Sequence, residues 1–482
     1  MFDLRPIGYV IGLLIAILGA TMILPMLVDL AEGRGHWSVF LESSVITMLS
    51  GGLIALSCSN GLRAGLNIPE TILLTTGVWV VLPLFGALPL MLGESELGLL
   101  DAYFEAMSGL TTTGSTVITG LDDMARGILL WRGILQWLGG IGIVVMAMVF
   151  LPELRVGGMQ IFRAEAFDTM GKILPRATEI AAQISVIYIF LTLACMLCYV
   201  LIGMSFFDAT VHSFTTISTG GFSNYDVSFG RFTGPAEYVA VLFMILAVLP
   251  FVRYVQLVNG NGRPLLRDSQ VRVFVGMLAV LVAVVVFALM RSRSHPFEQA
   301  LRESLFNLTS IITGTGYASA DYMRWGPFFI ALFFFVALIG GCAGSTTCSI
   351  KIFRYQLLFS SIRVQLQRIR TPHGLFTPRY EGKPVPPETL NSVMVFFVFF
   401  FVSLGLFSVA LSLTGLDFVT ALSGAATAMT NTGPGLGQLI GPSGNFAGLN
   451  DSAKWILILA MLVGRLELMT VYVMLTPAFW RA

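Results

Sequence analysis

Apolar residues run along this chain in long blocks, near 7–30, 38–58, 71–92, 127–150, 181–203, 235–258, 272–290, 326–350, 392–414 and 453–476. Blocks of roughly 20 residues cross ~30 Å of hydrocarbon as helices, so ten spans are predicted, with both termini on one side. Shorter, mixed runs lie at 101–111, 207–217, 297–312 and 417–430, enough for a half-depth helix but not for a crossing. Each short run leads into a small polar cluster with a glycine, where lipid depth would demand helix. The clusters are "TTTGST" (111–116), "ISTGGF" (217–222), "IITGTGY" (311–317) and "TNTGPG" (430–435).

The composition supports the pattern. Of 482 residues, 56% are hydrophobic and 11% charged, and the mean hydropathy is +0.83; a soluble protein carries about 25% charge. The net charge of +1 gives no reason to expect a nucleic-acid partner. The first apolar run is too long for a signal-peptide core and ends in no small-residue cleavage site, so it reads as a membrane anchor. Five cysteines, an odd number, argue against a disulfide framework, and Cys195 and Cys198 lie inside an apolar run as part of a helical face. Lysine and arginine favour the side of the termini two to one, which places both termini in the cytoplasm. The opposite side is assigned Arg34, Arg126, Arg132, Arg231, Arg291, Arg293, Arg302, Arg324 and Lys454, and Arg465 alone is assigned to the interior of a span. The basic, proline-bearing segment Ser360 to Asn391 reads as a cytoplasmic loop and a docking place for a cytoplasmic partner.

The short runs belong to an internal repeat of span, acidic residue, short helix, Thr/Gly hairpin and span. Its copies begin near Asp101, Asp208, Glu298 and Asp417. Aligning the hairpins puts Gly114, Gly220, Gly314 and Gly433 in one column, each after a threonine: Thr113, Thr219, Thr313 and Thr432. The expected fold is therefore an all-α polytopic membrane protein with four pseudo-symmetric units around one pore, after a two-helix N-terminal extension. The divisions are 1–65, 66–155, 156–265, 266–390 and 391–482.

Non-helical backbone survives at membrane depth only where protein or a watery cavity surrounds it. Glycine allows positive φ and lets successive carbonyls face one way. Four such hairpins around an axis would make a ring of carbonyl oxygens able to replace the hydration shell of a cation. The short helices would point their negative ends at that ring, about half a charge each. No carboxylate occurs in the hairpins, which favours a monovalent ion over a divalent one. Close helix packing explains Gly139, Gly140 and Gly142 in "LGGIGI", but not four hydroxyl-rich hairpins.

This arrangement resembles the Trk/Ktr/HKT superfamily of potassium transporters, and within it the TrkH/TrkG branch. "GGCAGST" at 340–346, "GRLE" at 464–467, the C-terminal "LTPAFWRA" and the two extra N-terminal spans carry the likeness over essentially the whole chain. The resemblance implies K⁺ uptake across a bacterial inner membrane through one pore per subunit, in a homodimer. It also implies a cytoplasmic nucleotide-binding regulator of the TrkA type and no organic cofactor. The ion-facing positions it implies are Thr112, Thr113, Gly114 and Ser115; Ser218, Thr219, Gly220 and Gly221; Ile312, Thr313, Gly314 and Thr315; and Asn431, Thr432, Gly433 and Pro434. It further implies that Gly340, Gly341, Cys342, Ala343, Gly344, Ser345, Thr346 and Thr347, in the 340–348 loop, form a gate below the filter.

The residues around that loop agree. Seven of the nine residues from Gly340 to Cys348 are Gly, Ala, Ser or Thr, poor material for an unsupported helix. Arg465 at mid-span costs at least ~2.5–3.5 kcal/mol and is expected to point into the pore near the loop, raising the barrier to cations. Glu467 stands two residues away, off the same helical face, and is a poor partner for it.

Other function classes are weaker. A symporter coupled to H⁺ or Na⁺ would use a titratable group at midplane, for which only Glu467 and His212 qualify; a Na⁺-permeable member of the same superfamily is the other alternative. No G-x-x-x-x-G-K-[ST] occurs, "GPGLGQ" at 433–438 follows no strand, and the four histidines lack metal spacing, so no enzyme is expected.

Overall fold

The computed structural model of the protein describes residues 3–33, 35–61, 66–149, 177–292 and 296–481. The basic residues Arg155, Arg163, Lys172 and Arg176, the repeat boundary at 155, and Arg34, Arg63 and Arg293 lie outside the described residues.

Seven of the apolar runs form helices long enough to cross a membrane: Arg5–Ala31, Trp37–Gly61, Ile68–Leu92, Arg126–Met146, Glu179–Leu201, Ser269–Arg291 and Pro387–Leu413. Their starts follow local chemistry. Asn67 and Glu70 form a reciprocal capping box, Asp268 accepts from the N–H groups of Gln270 and Val271, and Pro387 sits in a first turn where its missing donor costs nothing.

The other three predicted spans are broken. The 235–258 run bends by 91° between Pro235–Val248 and Phe251–Val258, at Pro250. The 326–350 run is helical only over Pro327–Ala337; the chain is irregular to Lys351 and then forms the helix Ile352–Arg370. The 453–476 run is helical over Asp451–Arg465 and resumes at Met469. Glu467 and Leu468, both with positive φ, make that break.

The four short helices are Leu99–Leu110, Phe206–Ile217, Phe297–Ile312 and Phe418–Thr430. Asp101, Asp208 and Glu298 lie in first turns and Asp417 caps the fourth, where a negative charge is favourable. Each following helix packs against its own short helix and against the next one. Arg126–Val149 bridges the first and second, Pro235–Val248 the second and third, Pro327–Ala337 the third and fourth, and Asp451–Arg465 the fourth and first. The chain thus closes into a ring. The N-terminal pair packs outside it, against Ile68–Gly86 and Arg126–Val149.

Candidate functional site: a ring of four loops and the loop beneath it

At the end of each short helix the backbone places two left-handed residues, one apart. They are Thr112 and Gly114, Thr219 and Gly221, Gly314 and Gly316, and Asn431 and Gly433. The residue between them donates its N–H to the helix carbonyl five positions back in every case: Thr113 to Ser108 at 2.8 Å, Gly220 to Thr215 at 2.9 Å, Thr315 to Ser310 at 2.9 Å, Thr432 to Thr427 at 3.1 Å. Turning alternate residues left-handed lets successive carbonyls face the same way, which ordinary residues achieve only at a cost.

These facts correct the predicted register. The column is Gly114, Gly221, Gly316 and Gly433, so Gly220 and Gly314 occupy other positions. Ser218, Ile312 and Thr313 belong to the ends of the short helices, and the equivalent stretches are Thr112–Ser115, Thr219–Phe222, Gly314–Tyr317 and Asn431–Pro434. Two loops contain a second glycine, so sequence alone offers two registers. Close approach decides between them. A β-carbon on Gly114 would lie 2.2 Å from the Gly220 carbonyl oxygen, on Gly221 1.8 Å from that of Thr315, on Gly316 1.8 Å from that of Thr432, and on Gly433 2.8 Å from that of Thr113. Each loop's glycine therefore sits against the next loop's carbonyl, and the fourth closes on the first.

Buried polar side chains hold the loops from behind. Gln136 donates to the Gly220 carbonyl at 2.5 Å and accepts from the Phe222 N–H at 3.0 Å. Arg132 pairs with Glu105 at 2.9 Å, donates to the Ser223 carbonyl and the Thr116 hydroxyl, and stacks over Phe222. Hydroxyl pairs brace three loops: Thr111 with Thr113, Thr313 with Thr315, and Thr430 with Thr432, at 2.7–2.8 Å. The sequence reading missed Glu105 and Gln136 and set Arg132 outside the spans. Arg132 is instead buried inside Arg126–Val149, and Lys454 is buried against Asp101 at 2.6 Å. A charge and an amide within an apolar run were the available signals.

On one side of the ring lies a cavity of about 420 Å³, lined by Gly114, Gly221, Gly316 and Gly433 among others. On the other side lies a small cavity of about 20 Å³, lined by Thr347, Cys348, Lys351, Arg465 and Glu467 among others. The 338–351 stretch fills this inner side, and being irregular it excludes the Gly340-x-x-x-Gly344 helix contact. Part of its polar backbone is satisfied by the bent helix beside it, the rest by itself and by the Gln270 side chain. The bend at Pro250 leaves open the carbonyls of Ala247 and Val248, which accept from the Thr346 hydroxyl at 3.1 Å and the Cys342 N–H at 3.3 Å, while the Phe251 N–H donates to Gly344 at 3.0 Å. Two broken elements complete each other, as membrane depth requires. The Thr346 hydroxyl also accepts from Thr219 of the ring at 3.2 Å.

Arg465 joins the two layers. It donates to the Thr112 hydroxyl at 2.8 Å, the Gly139 carbonyl at 2.8 Å and the Cys348 sulfur at 2.9 Å, and its guanidinium stands over Trp79. Glu467 pairs with Arg354 instead. His212, buried in the second short helix, is bound by the Asp208 carbonyl at 2.9 Å and the Ser223 hydroxyl at 3.2 Å. Gly139 and Gly140 do serve packing, against Leu110 and Ser218; Gly142 has only distant neighbours. No group of three metal-ligating side chains occurs among the described residues.

Comparison with known proteins gives one answer at every level. Residues 36–481 match the model of the TrkH family, described as cation transport protein. The chain is 42% identical to the Trk system potassium uptake protein TrkI of Halomonas elongata, over 99% of this chain and 97% of that one. It is 36% identical to the Trk system potassium uptake protein TrkH of Escherichia coli, over 99% of each. The crystal structure of the potassium transporter TrkH from Vibrio parahaemolyticus superposes with a TM-score of 0.90 at 33% identity, covering 99% of this chain and all of that one.

Proposed function

The chain belongs to the TrkH family of cation transport proteins, and from that premise we propose how it carries potassium. It is a Trk-type potassium uptake transporter of the membrane and not an enzyme. K⁺ is its cargo. The ion sheds its water against backbone carbonyls of Thr112–Ser115, Thr219–Phe222, Gly314–Tyr317 and Asn431–Pro434. One observation supports this above all: four glycines, each too close to the next loop's carbonyl for any side chain, close a ring. A ring of neutral oxygens at the negative ends of four helices suits a weakly hydrated monovalent cation.

The larger cavity is the outer vestibule, and the 340–348 loop with Arg465 is the gate. A unit positive charge ~4 Å from a cation costs ~4 kcal/mol at an effective dielectric of 20, enough to hold flux low while Arg465 stays under the ring. The four units divide at 66, 156, 266 and 391 after the 1–65 extension. The protein resides in a bacterial inner membrane with both termini in the cytoplasm, works as a homodimer, and answers to a TrkA-type nucleotide-binding subunit at its cytoplasmic face. The lysine and arginine bias and the family membership support this placement.

Uptake of radioactive Rb⁺ into proteoliposomes holding the purified chain, with and without excess Na⁺, tests the reading. Entry of Rb⁺ that excess Na⁺ does not suppress is the expected result; liposomes that stay empty of Rb⁺ would overturn it.

A further inference from the structure

The cavity beneath the ring has more to it than a closed gate. Around its 20 Å³ lie Cys348, Arg465, Lys351 and Thr347. Two polar atoms of these lining residues have no hydrogen-bond partner: Arg465 Nε and the Thr347 hydroxyl oxygen, on residues that are each 1% exposed. Among the described residues, the carboxylate lining the cavity, Glu467, is taken by Arg354, while Lys351 donates to the Thr347 carbonyl at 2.6 Å and Arg465 to neutral acceptors. A space of this size holds one small molecule or one added atom. Its unpartnered donors call for an oxygen.

We propose that Cys348 is a modification site for small hydroperoxides, and that its oxidation holds the gate shut; the second clause rests on the gate assignment above. Cys348 is partly exposed and already accepts from Arg465. Thiols beside arginine and lysine are the ones that react with peroxides. Sulfur attacks one peroxide oxygen, the O–O bond breaks and an S–O bond forms. The other oxygen takes the thiol proton and leaves as water from hydrogen peroxide, or as the alcohol from an alkyl hydroperoxide, so sulfur is oxidised by two electrons and the peroxide reduced. The new oxygen enters the cavity, where Arg465 Nε–H and the Thr347 hydroxyl donate to it. Arg465 is then bound more firmly beneath the ring, and cation flux falls. Two equivalents of a small thiol restore Cys348, through a mixed disulfide and release of water. The remaining cysteines have no such setting: Cys195 and Cys342 are buried, and Cys58 and Cys198 lie in helices remote from the cavity.

The test uses the full chain in proteoliposomes treated with hydrogen peroxide. A dimedone-type probe for sulfenic acid with peptide mass spectrometry reads the site, and Rb⁺ uptake reads the gate. Labelling is expected at Cys348 ahead of the other four cysteines, with a severalfold fall in uptake that dithiothreitol reverses. Cys348→Ser, compared with its own untreated uptake, is expected to lose the peroxide response. Labelling at Cys58 or Cys198 with Cys348 untouched would overturn the proposal, as would an equal loss of uptake in Cys348→Ser. Should that variant fail to insert, labelling of the unmodified chain decides. Untreated protein that carried no Rb⁺ would instead sink the transport reading, while the labelling arm still reported on the thiol.

Discussion

At the scale of single residues, the ring separates two kinds of glycine. Gly316 is left-handed and lies where a β-carbon would meet the Thr432 carbonyl oxygen at 1.8 Å. Gly314 is also left-handed, but its nearest neighbour would be the Thr347 hydroxyl at 3.4 Å. Its counterparts, Thr112, Thr219 and Asn431, carry side chains at φ of 51–53°. Gly314→Asn should therefore fold and keep most Rb⁺ uptake, at a strain of ~1–2 kcal/mol. Gly316→Ala must push backbone apart and should lose uptake altogether, even where size-exclusion profiles show folded protein. Loss of uptake in Gly314→Asn with uptake kept in Gly316→Ala would restore the register that sequence alignment suggested. The distinction was not legible in the sequence, where "TGTG" presents two equivalent Thr-Gly pairs. Only the carbonyl of the neighbouring loop tells them apart.

At the scale of elements, the proposed gate is a contact between two interrupted spans. The small residues of 340–348 announced the first interruption and Arg465 drew attention to the second. Pro250, at the bend that leaves open the carbonyls the loop needs, went unremarked. One proline in a long apolar run is compatible with a kinked continuous helix, and the 91° bend follows from what the loop offers it. Thr346 links that bend to the ring through Ala247 and Thr219. Thr346→Val keeps the shape and removes both bonds, worth ~1 kcal/mol each, and should raise basal Rb⁺ uptake severalfold. Arg465→Ala removes the charge and should raise it further, by about tenfold for each 1.4 kcal/mol taken off the barrier. If both variants, shown to be folded by thermal unfolding in detergent, conduct as the parent does, the loop and the arginine are not the gate.

At the scale of the whole molecule, the question is what drives uptake. Midplane coupling needs a free titratable group, and both candidates are engaged: His212 by Asp208 and Ser223, Glu467 by Arg354. A membrane potential supplies ~2.3 kcal/mol per charge per 100 mV, enough for roughly fifty-fold accumulation without coupling. The reversal potential for K⁺ measured across bilayers is thus expected to follow the K⁺ gradient alone. A shift produced by a pH or Na⁺ gradient at constant K⁺ would show coupled transport instead.

Sequence by itself determined the class of molecule, its long apolar helices and its four short ones, and the irregular backbone at the four hairpins and at 340–348. Those features depend on composition and on local conformational preference: apolar length fixes a crossing, and Gly, Thr and Pro interrupt one. Tertiary structure decided the rest. It chose between adjacent glycines in "STGGF" and "TGTG", turned Arg132 and Lys454 from loop charges into buried partners of Glu105 and Asp101, and gave Glu467 to Arg354. Apart from the Arg132–Glu105 pair, which forms within the first repeat, each of these depends on a residue that another repeat brings close, and residues 318 positions apart, such as Ser115 and Gly433, meet only when the ring closes.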